Sequence, residues 1–212
     1  MDTEQTLKAL WPELRVRLSA KHLLDGAAPS LSLRIPGTDA MWFGNAADTE
    51  PRRLGMSGIP AAQRGSGLHA AAYAFRRDVC AVATGGGDFG LRLADFGGAM
   101  PGVFDEQVRH LGVMPPPHGT VDLAAALRRG ANVLLLGDQP VVLGMTGSRL
   151  ALNAELFEKC AKAYVLATAG GGRVRPLPWI VRHVANGRLI KDEKRARLRT
   201  GLGLLPQETK GY

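Results

Sequence analysis

The sequence predicts one domain of the α/β or α+β class. Three observations lead there. Apolar residues recur at helical spacing in two long segments, residues 7–24 and 149–169. Short apolar runs that suit strands, residues 30–35, 79–83 and 131–136, lie between those segments. Glycine- and proline-rich turns separate the runs, so that strands and helices are mixed along the chain.

Leu7, Leu10, Leu14, Leu18 and Leu24 give the first segment its apolar stripe. Pro12 falls early in it, where a helix tolerates proline, and Asp25-Gly26 reads as its stop. Residues 30–35 (SLSLRI) alternate like a half-buried strand, Pro36-Gly37-Thr38-Asp39 makes a turn, and residues 40–43 return as the second strand of a hairpin. Residues 44–60 read as loop. An Ala-rich helix over 67–75 ends at Arg76-Arg77-Asp78 and leads into a buried strand, 79–83, followed by glycines 85–87. A short helix over 103–111, a Pro115-Pro116-Pro117 break and a helix over 121–129 capped by Thr120 precede the clearest buried strand, 131–136. A Gly137-Asp138 turn returns the chain as a strand over 140–143. The long helix 149–169 sets Leu150, Ala154, Phe157, Ala161 and Tyr164 on one face, with Ser148 as its N-cap and Gly170-Gly171-Gly172 as its end. The tail from Pro178 is helical and basic.

Composition bounds the function. A hydrophobic share of 45% and a charged share of 22% are ordinary for a soluble domain, and 212 residues suffice for one sizeable core. No window approaches the ~18 consecutive apolar residues of a membrane span. Met1-Asp2-Thr3-Glu4 is acidic and polar, unlike a signal peptide, so a cytoplasmic location is expected. Cys80 and Cys160 sit among small apolar residues in separate elements and read as buried thiols rather than a disulfide or a zinc site. The formal charge of +8 raises the question of nucleic acid. Yet Lys191, Lys194, Arg195, Arg197 and Arg199 are interrupted by Asp192 and Glu193, with no aromatic residue among them to stack a base. A solvated helix face or an interface with an acidic neighbouring subunit is the expectation.

Three ordered segments carry a resemblance. The first is Leu68-His69-Ala70-Ala71-Ala72-Tyr73-Ala74-Phe75-Arg76-Arg77-Asp78-Val79-Cys80-Ala81-Val82. The second is Gly119-Thr120 before a helix, then Arg129-Gly130-Ala131-Asn132-Val133-Leu134-Leu135-Leu136. The third is the long helix 149–169. In this order and spacing they resemble the class II aldolase/adducin family, over about residues 5–170. The resemblance implies a three-layer α/β/α fold around a mixed, largely antiparallel sheet. It divides the chain into residues 1–175, the family-like domain, and 176–212, a basic helical C-terminal extension of that domain. It also implies a homo-oligomer, a tetramer, with sites at subunit interfaces.

Family members cleave or epimerise sugar phosphates with a zinc ion on three histidines and a proton-moving glutamate, which demands neutral imidazoles and a nearby carboxylate. By resemblance, the His-x-His place holds Thr84-Gly85-Gly86, the third-histidine place Gly137-Asp138-Gln139, and the glutamate place Gly65. All four chemical groups have changed, so no catalytic residue, no metal ligand and no cofactor is expected. The phosphate-binding turns of the family resemble Pro29-Ser30, Gly44-Asn45-Ala46-Ala47 and Gln63-Arg64 here. Ser30, Arg64, His118 and Asp138 are therefore the candidates for contact with a small anionic ligand. A non-catalytic or repurposed binding protein is the expectation; an active metal-dependent lyase or epimerase is the alternative.

Other constellations are weaker. His22, His69, His110, His118 and His183 include no pair at i,i+2 or i,i+4, so no local metal-ligand pair exists. His69, on an Ala-rich helix, reads as a hydrogen-bonded core histidine or a ligand. Gly85-Gly86-Gly87-Asp88-Phe89-Gly90 satisfies G-x-G-x-x-G after a strand, with Glu106 at the ribose-binding distance, but the next segment is short and glycine-broken. The other reading of those glycines is a flexible loop. Gly65-Ser66-Gly67 lacks the nucleophile elbow of a serine hydrolase.

Overall fold

The computed structural model describes residues 2–60, 65–117, 123–127 and 130–208. Helix α1 (Thr3–Ser19) begins ahead of the leucine stripe because Asp2 caps it, its carboxylate accepting from Glu4 N–H at 3.3 Å. Pro12 therefore lies inside the helix. The helix also stops earlier than the stripe implies. His22 takes a left-handed backbone at φ 55°, and Leu23 N–H turns back onto the Leu18 carbonyl. Leu23 and Leu24 are buried beyond the helix end, and Asp25-Gly26 opens a strand instead of closing a helix.

Six strands form one sheet: β1 (Asp25–Ile35), β2 (Ala40–Asn45), β3 (Arg52–Gly55), β4 (Ala81–Gly86), β5 (Val133–Leu136) and β6 (Gln139–Gly144). Their order is β3-β2-β1-β4-β6-β5, and each of these pairings is antiparallel. Three features depart from expectation. β1 starts five residues early and carries a register irregularity between Asp25 and Ser30. β3 lies where loop was expected. β4 runs on through Gly85 and Gly86, both buried, so this stretch is sheet and not a flexible loop.

Alternation along each strand separates two cores. On one face Leu31, Leu33, Ile35, Ala81, Ala83, Val133, Leu135 and Val142 pack under α1 and helix α5 (Gly147–Ala169). On the other, Met41, Phe43, Val82, Leu134, Leu136, Val141 and Leu143 pack under helix α2 (Ser66–Phe75) and beside helix α4 (Leu123–Ala126). The result is the helix–sheet–helix layering of an α/β/α domain. Trp11 fixes α1 to the sheet, donating from Nε1 to the Leu31 carbonyl at 2.9 Å. A Cβ at Gly44 would lie 2.5 Å from the Trp11 ring, so glycine is required there. Thr146, not Ser148, caps α5: its hydroxyl accepts from Arg149 N–H at 3.0 Å. The short helix α3 (Asp88–Leu91) follows β4, and residues 107–111 form one wide π-type turn. The Thr120 cap lies outside the described residues. Cys80 and Cys160 are free and buried.

The basic C-terminal segment folds as helix α6 (Trp179–Gly201), and its two acidic residues hold it down. Glu193, 1% exposed, accepts from Arg76 Nη2 at 3.0 Å and from Gly130 N–H at 3.0 and 3.1 Å. Arg76, itself 1% exposed, also grips Asp78 through Nε and Nη2 and donates to Ala131 O at 2.7 Å and Asn132 Oδ1 at 3.0 Å. Asp192 takes Arg109 at 2.6 Å. A buried carboxylate is tolerated only with partners of this kind. The charges facing solvent on α6 over residues 188–197 are consequently all basic.

Arg76→Ala is expected to lower the unfolding free energy by about 3–5 kcal/mol, because it removes the buried cation that Asp78 and Glu193 share. Lys191→Ala on the exposed face should change it by less than about 0.5 kcal/mol. Urea unfolding followed by circular dichroism checks both; equal stability of the Arg76 variant and the parent contradicts the assignment.

Candidate functional site

Ser30, Thr84, Gly86 and Gln139 come together where β1, β4 and β6 lie side by side. Thr84 pairs with Ser30 on one side and Val141 on the other. Asp25 pairs with Gly86, so the early part of β1 lies across the end of β4. The Ala28 carbonyl accepts from both Thr84 Oγ1, at 3.1 Å, and Gln139 Nε2, at 3.2 Å. This ties the end of β4, the start of β6 and the bulged part of β1 to one atom. A Cβ at Gly86 would meet Pro140 at 3.0 Å, and one at Gly85 would meet the Asp25 carbonyl at 2.7 Å. Backbone and proline rings therefore occupy the volume beside these glycines.

Helix α2 projects His69 and Tyr73, one turn apart, against Ser30 and Ser32 of β1. Ser30 Oγ lies 3.0 Å from His69 Nε2 and 2.7 Å from Thr84 Oγ1. Ser32 Oγ lies 2.7 Å from His69 Nδ1 and 2.7 Å from Tyr73 OH. All five side chains are at most 1% exposed. The edge of the His69 ring also meets Phe43, at 5.2 Å and 86°.

Proton counting gives this chain a direction. A carbonyl only accepts, so Thr84 donates its single proton to Ala28. Thr84 then accepts from Ser30, and Ser30 accepts from His69 Nε2–H. His69 Nδ1 is left as an acceptor for Ser32, which accepts in turn from Tyr73. Every hydroxyl donates once, and His69 is the neutral Nε2–H tautomer. Burial agrees: it pushes His69 down to about 3, and it raises Tyr73 above the usual phenol range.

The sequence-derived candidates divide accordingly. Ser30, expected to donate to a ligand, is fully buried and donates inside the protein, because β1 and α2 close over it. Asp138 is exposed on the turn between β5 and β6. Arg64 and His118 lie outside the described residues. Gly65 precedes α2 against the Phe43 ring, 3.4 Å from where its Cβ would be. His69 is a hydrogen-bonded core histidine. Among the described residues, no three His, Cys, Asp or Glu side chains converge as a metal site. Ser32, Tyr73 and the inward Thr84 hydroxyl were missed as a group. Their signal was available in the i,i+2 spacing of the two serines and the i,i+4 spacing of His69 and Tyr73.

The glycine motif after β4 is filled from within. Glu158 of α5 accepts from Phe89 N–H and Gly90 N–H, both at 2.9 Å, at the start of α3. A Cβ at Gly87 would lie 2.4 Å from the Glu158 carboxyl carbon. The glycines admit this carboxylate, and the N–H groups a pyrophosphate would use are taken. Glu106 pairs at the surface with Lys159, at 3.9 Å.

Linkage gives a test. His69 is depressed in the folded state, to about 3 from 6.5, and His110 is depressed to about 4 by burial and by Arg149. Their contribution to stability is fully present above about pH 6.5. It is lost as pH falls toward the folded values, because the unfolded chain takes up protons that the folded chain refuses. Stability should fall between pH 6.5 and 4.5 at about 1.4 kcal/mol per pH unit for each such proton. His69→Gln should remove one proton from that slope, measured by urea unfolding across pH; an unchanged slope contradicts a neutral His69.

No family model matches the sequence, and no curated protein sequence matches it. Solved structures do. YgbL from Escherichia coli, a proposed aldolase/epimerase/decarboxylase, superposes with a TM-score of 0.71 at 18% identity, covering 87% of this chain and 100% of its own. L-fuculose 1-phosphate aldolase from Glaciozyma antarctica PI12 gives 0.70 at 14% identity, over 92% and 88%. An aldolase II superfamily protein from Pseudomonas syringae gives 0.68 at 15% identity, over 98% and 97%.

Proposed function

We propose that this chain, which has the fold of class II aldolase/epimerase-type proteins, does not perform their zinc chemistry and serves instead, non-catalytic or repurposed, to bind a small anionic ligand or a protein partner. One observation carries the reading. The buried His69 has both ring nitrogens engaged by serines, Nε2–H as donor to Ser30 and Nδ1 as acceptor from Ser32, so its one basic lone pair is taken. Three further features support it. The Thr84 hydroxyl is spent on Ala28. Gly86 abuts Pro140. The Asp138 carboxylate stands in an exposed turn. A tetrahedral zinc site needs three or four converging donors, and this set does not supply them. Gly65 offers no group to move a proton, so no resident cofactor is proposed.

In this reading Arg64, His118 and Asp138 are the proposed ligand contacts, with Ser30 reserved for the core. A homo-oligomer, a tetramer in the cytoplasm, is the proposed assembly. No helix among the described residues is long and apolar enough to cross a membrane.

The competing reading is an active metal-dependent lyase or epimerase acting on a sugar phosphate or related carbonyl compound, with histidines drawn from elsewhere, for instance His69, His118 and a neighbouring subunit. The fuculose-phosphate aldolase among the structural neighbours favours it. Elemental analysis of the purified protein separates the two. The proposal expects well-folded protein with far less than one zinc or manganese per chain and no aldol cleavage. Stoichiometric metal whose removal abolishes cleavage contradicts it.

A further inference from the structure

Ser30, Ser32 and Arg34 occupy alternate positions on β1 and so share a sheet face. The first two close the buried chain of hydrogen bonds. Arg34, about 13 Å along the strand from Ser30, is half-buried where that face meets the surface. Its Nη1 donates to the Tyr73 carbonyl at 3.2 Å, and its guanidinium lies 5.8 Å from the Tyr73 ring centre. These contacts hold the group in place and leave further N–H donors unused.

Beside it lies a cavity of about 310 Å³ lined by Arg34, Tyr73, Ala74, Arg77, Thr200 and Gly201. That volume is at the lower end of the roughly 300–1,000 Å³ of small-molecule sites. No carboxylate lines it. Neither Arg34 nor Arg77 forms an ion pair among the described residues, in contrast to the neighbouring Arg76. Among the described residues, the Thr200 hydroxyl has only the weak Cys80 thiol as partner, at 3.5 Å. Cavity wall and charge therefore agree: two arginines and a threonine line a space that no carboxylate lines.

One feature opposes an anion. Thr200 and Gly201 end α6, where the helix dipole is negative. That end is largely satisfied, since the carbonyls of Leu198, Arg199 and Thr200 accept from N–H groups of Leu202, Gly203 and Leu204. Two full positive charges outweigh the remaining partial one. Asp39, which interacts electrostatically with Arg34, lines the adjoining 210 Å³ cavity and accepts from Ser57 N–H at 2.9 Å.

We infer that the cavity between the end of β1, the end of α2 and the end of α6 is a binding site for a small oxyanion, a phosphate or carboxylate group, gripped by Arg34 and Arg77 and seated by Thr200. Guanidinium forks match both groups in geometry. The site stands beyond Ser32 toward the end of β1 and shares Tyr73 with the buried chain, but none of Gly65, Thr84, Gly86 and Asp138 lines it, so it does not depend on the reading of the metal place.

The test titrates the full chain with inorganic phosphate and, separately, with succinate, by calorimetry at low ionic strength. Saturable binding of either supports the site; which one saturates tells a phosphate-bearing from a carboxylate-bearing ligand. Arg34→Gln and Arg77→Gln should each raise the dissociation constant about tenfold or more. Arg197→Gln, on the exposed face of α6, should change it less than twofold. Arg77 is exposed, so its variant carries the test if the Arg34 variant fails to fold. Absence of saturable binding, or an equal loss in the Arg197 variant, overturns the inference.

Discussion

A single run of buried hydrogen bonds, from Tyr73 through Ser32, His69, Ser30 and Thr84 to the Ala28 carbonyl, fixes what this end of the molecule can do. It joins α2, β1 and β4 in the buried interior, where an unsatisfied polar group is costly and a matched one is rigid. Each hydroxyl has one proton and uses it in one direction. The imidazole at its centre is therefore held neutral in one tautomer, and its two nitrogens are bound to the sheet. An imidazole that serves as a metal ligand needs the opposite arrangement, one nitrogen free and facing a cavity.

The surroundings extend the same logic. The early part of β1 crosses the end of β4, Pro140 meets Gly86, and Gln139 shares the Ala28 carbonyl with Thr84. Nearby, Glu158 occupies the start of α3 as an internal anion, in the position where the glycine motif would otherwise accept a phosphate. Two surfaces are basic: the solvent-facing side of α6 over residues 188–197, and the cavity lined by Arg34 and Arg77 where β1 ends.

The layered fold was legible because its elements are strongly patterned. Leu7, Leu14 and Leu18 mark a helix face, the run Val133–Leu136 can only be buried, and Leu150, Ala154, Phe157 and Ala161 mark the long helix. Errors fell where local signals and tertiary context disagree. Gly26 and Pro29 look like breakers, yet β1 passes through them with an irregular register. Arg52–Gly55 is polar and mostly exposed, as an edge strand often is, so it carried no apolar signature. Asp192 and Glu193 looked like interruptions of a basic run; their role depends on Arg76, Arg109 and Gly130, which are far away in sequence. Within the site, the resemblance singles out the places of Gly65, Thr84, Gly86 and Asp138 as an expectation only. That Ser30 would be consumed by His69 was not legible, because nothing local sets the contact between α2 and β1.

The direct measurement is nuclear magnetic resonance of the His69 ring nitrogens in the intact protein near pH 5. The account predicts a neutral imidazole with its proton on Nε2, a slowly exchanging Nε2–H, and no change when zinc is added. A doubly protonated ring, a proton on Nδ1, or nitrogen shifts that move on adding zinc would contradict it.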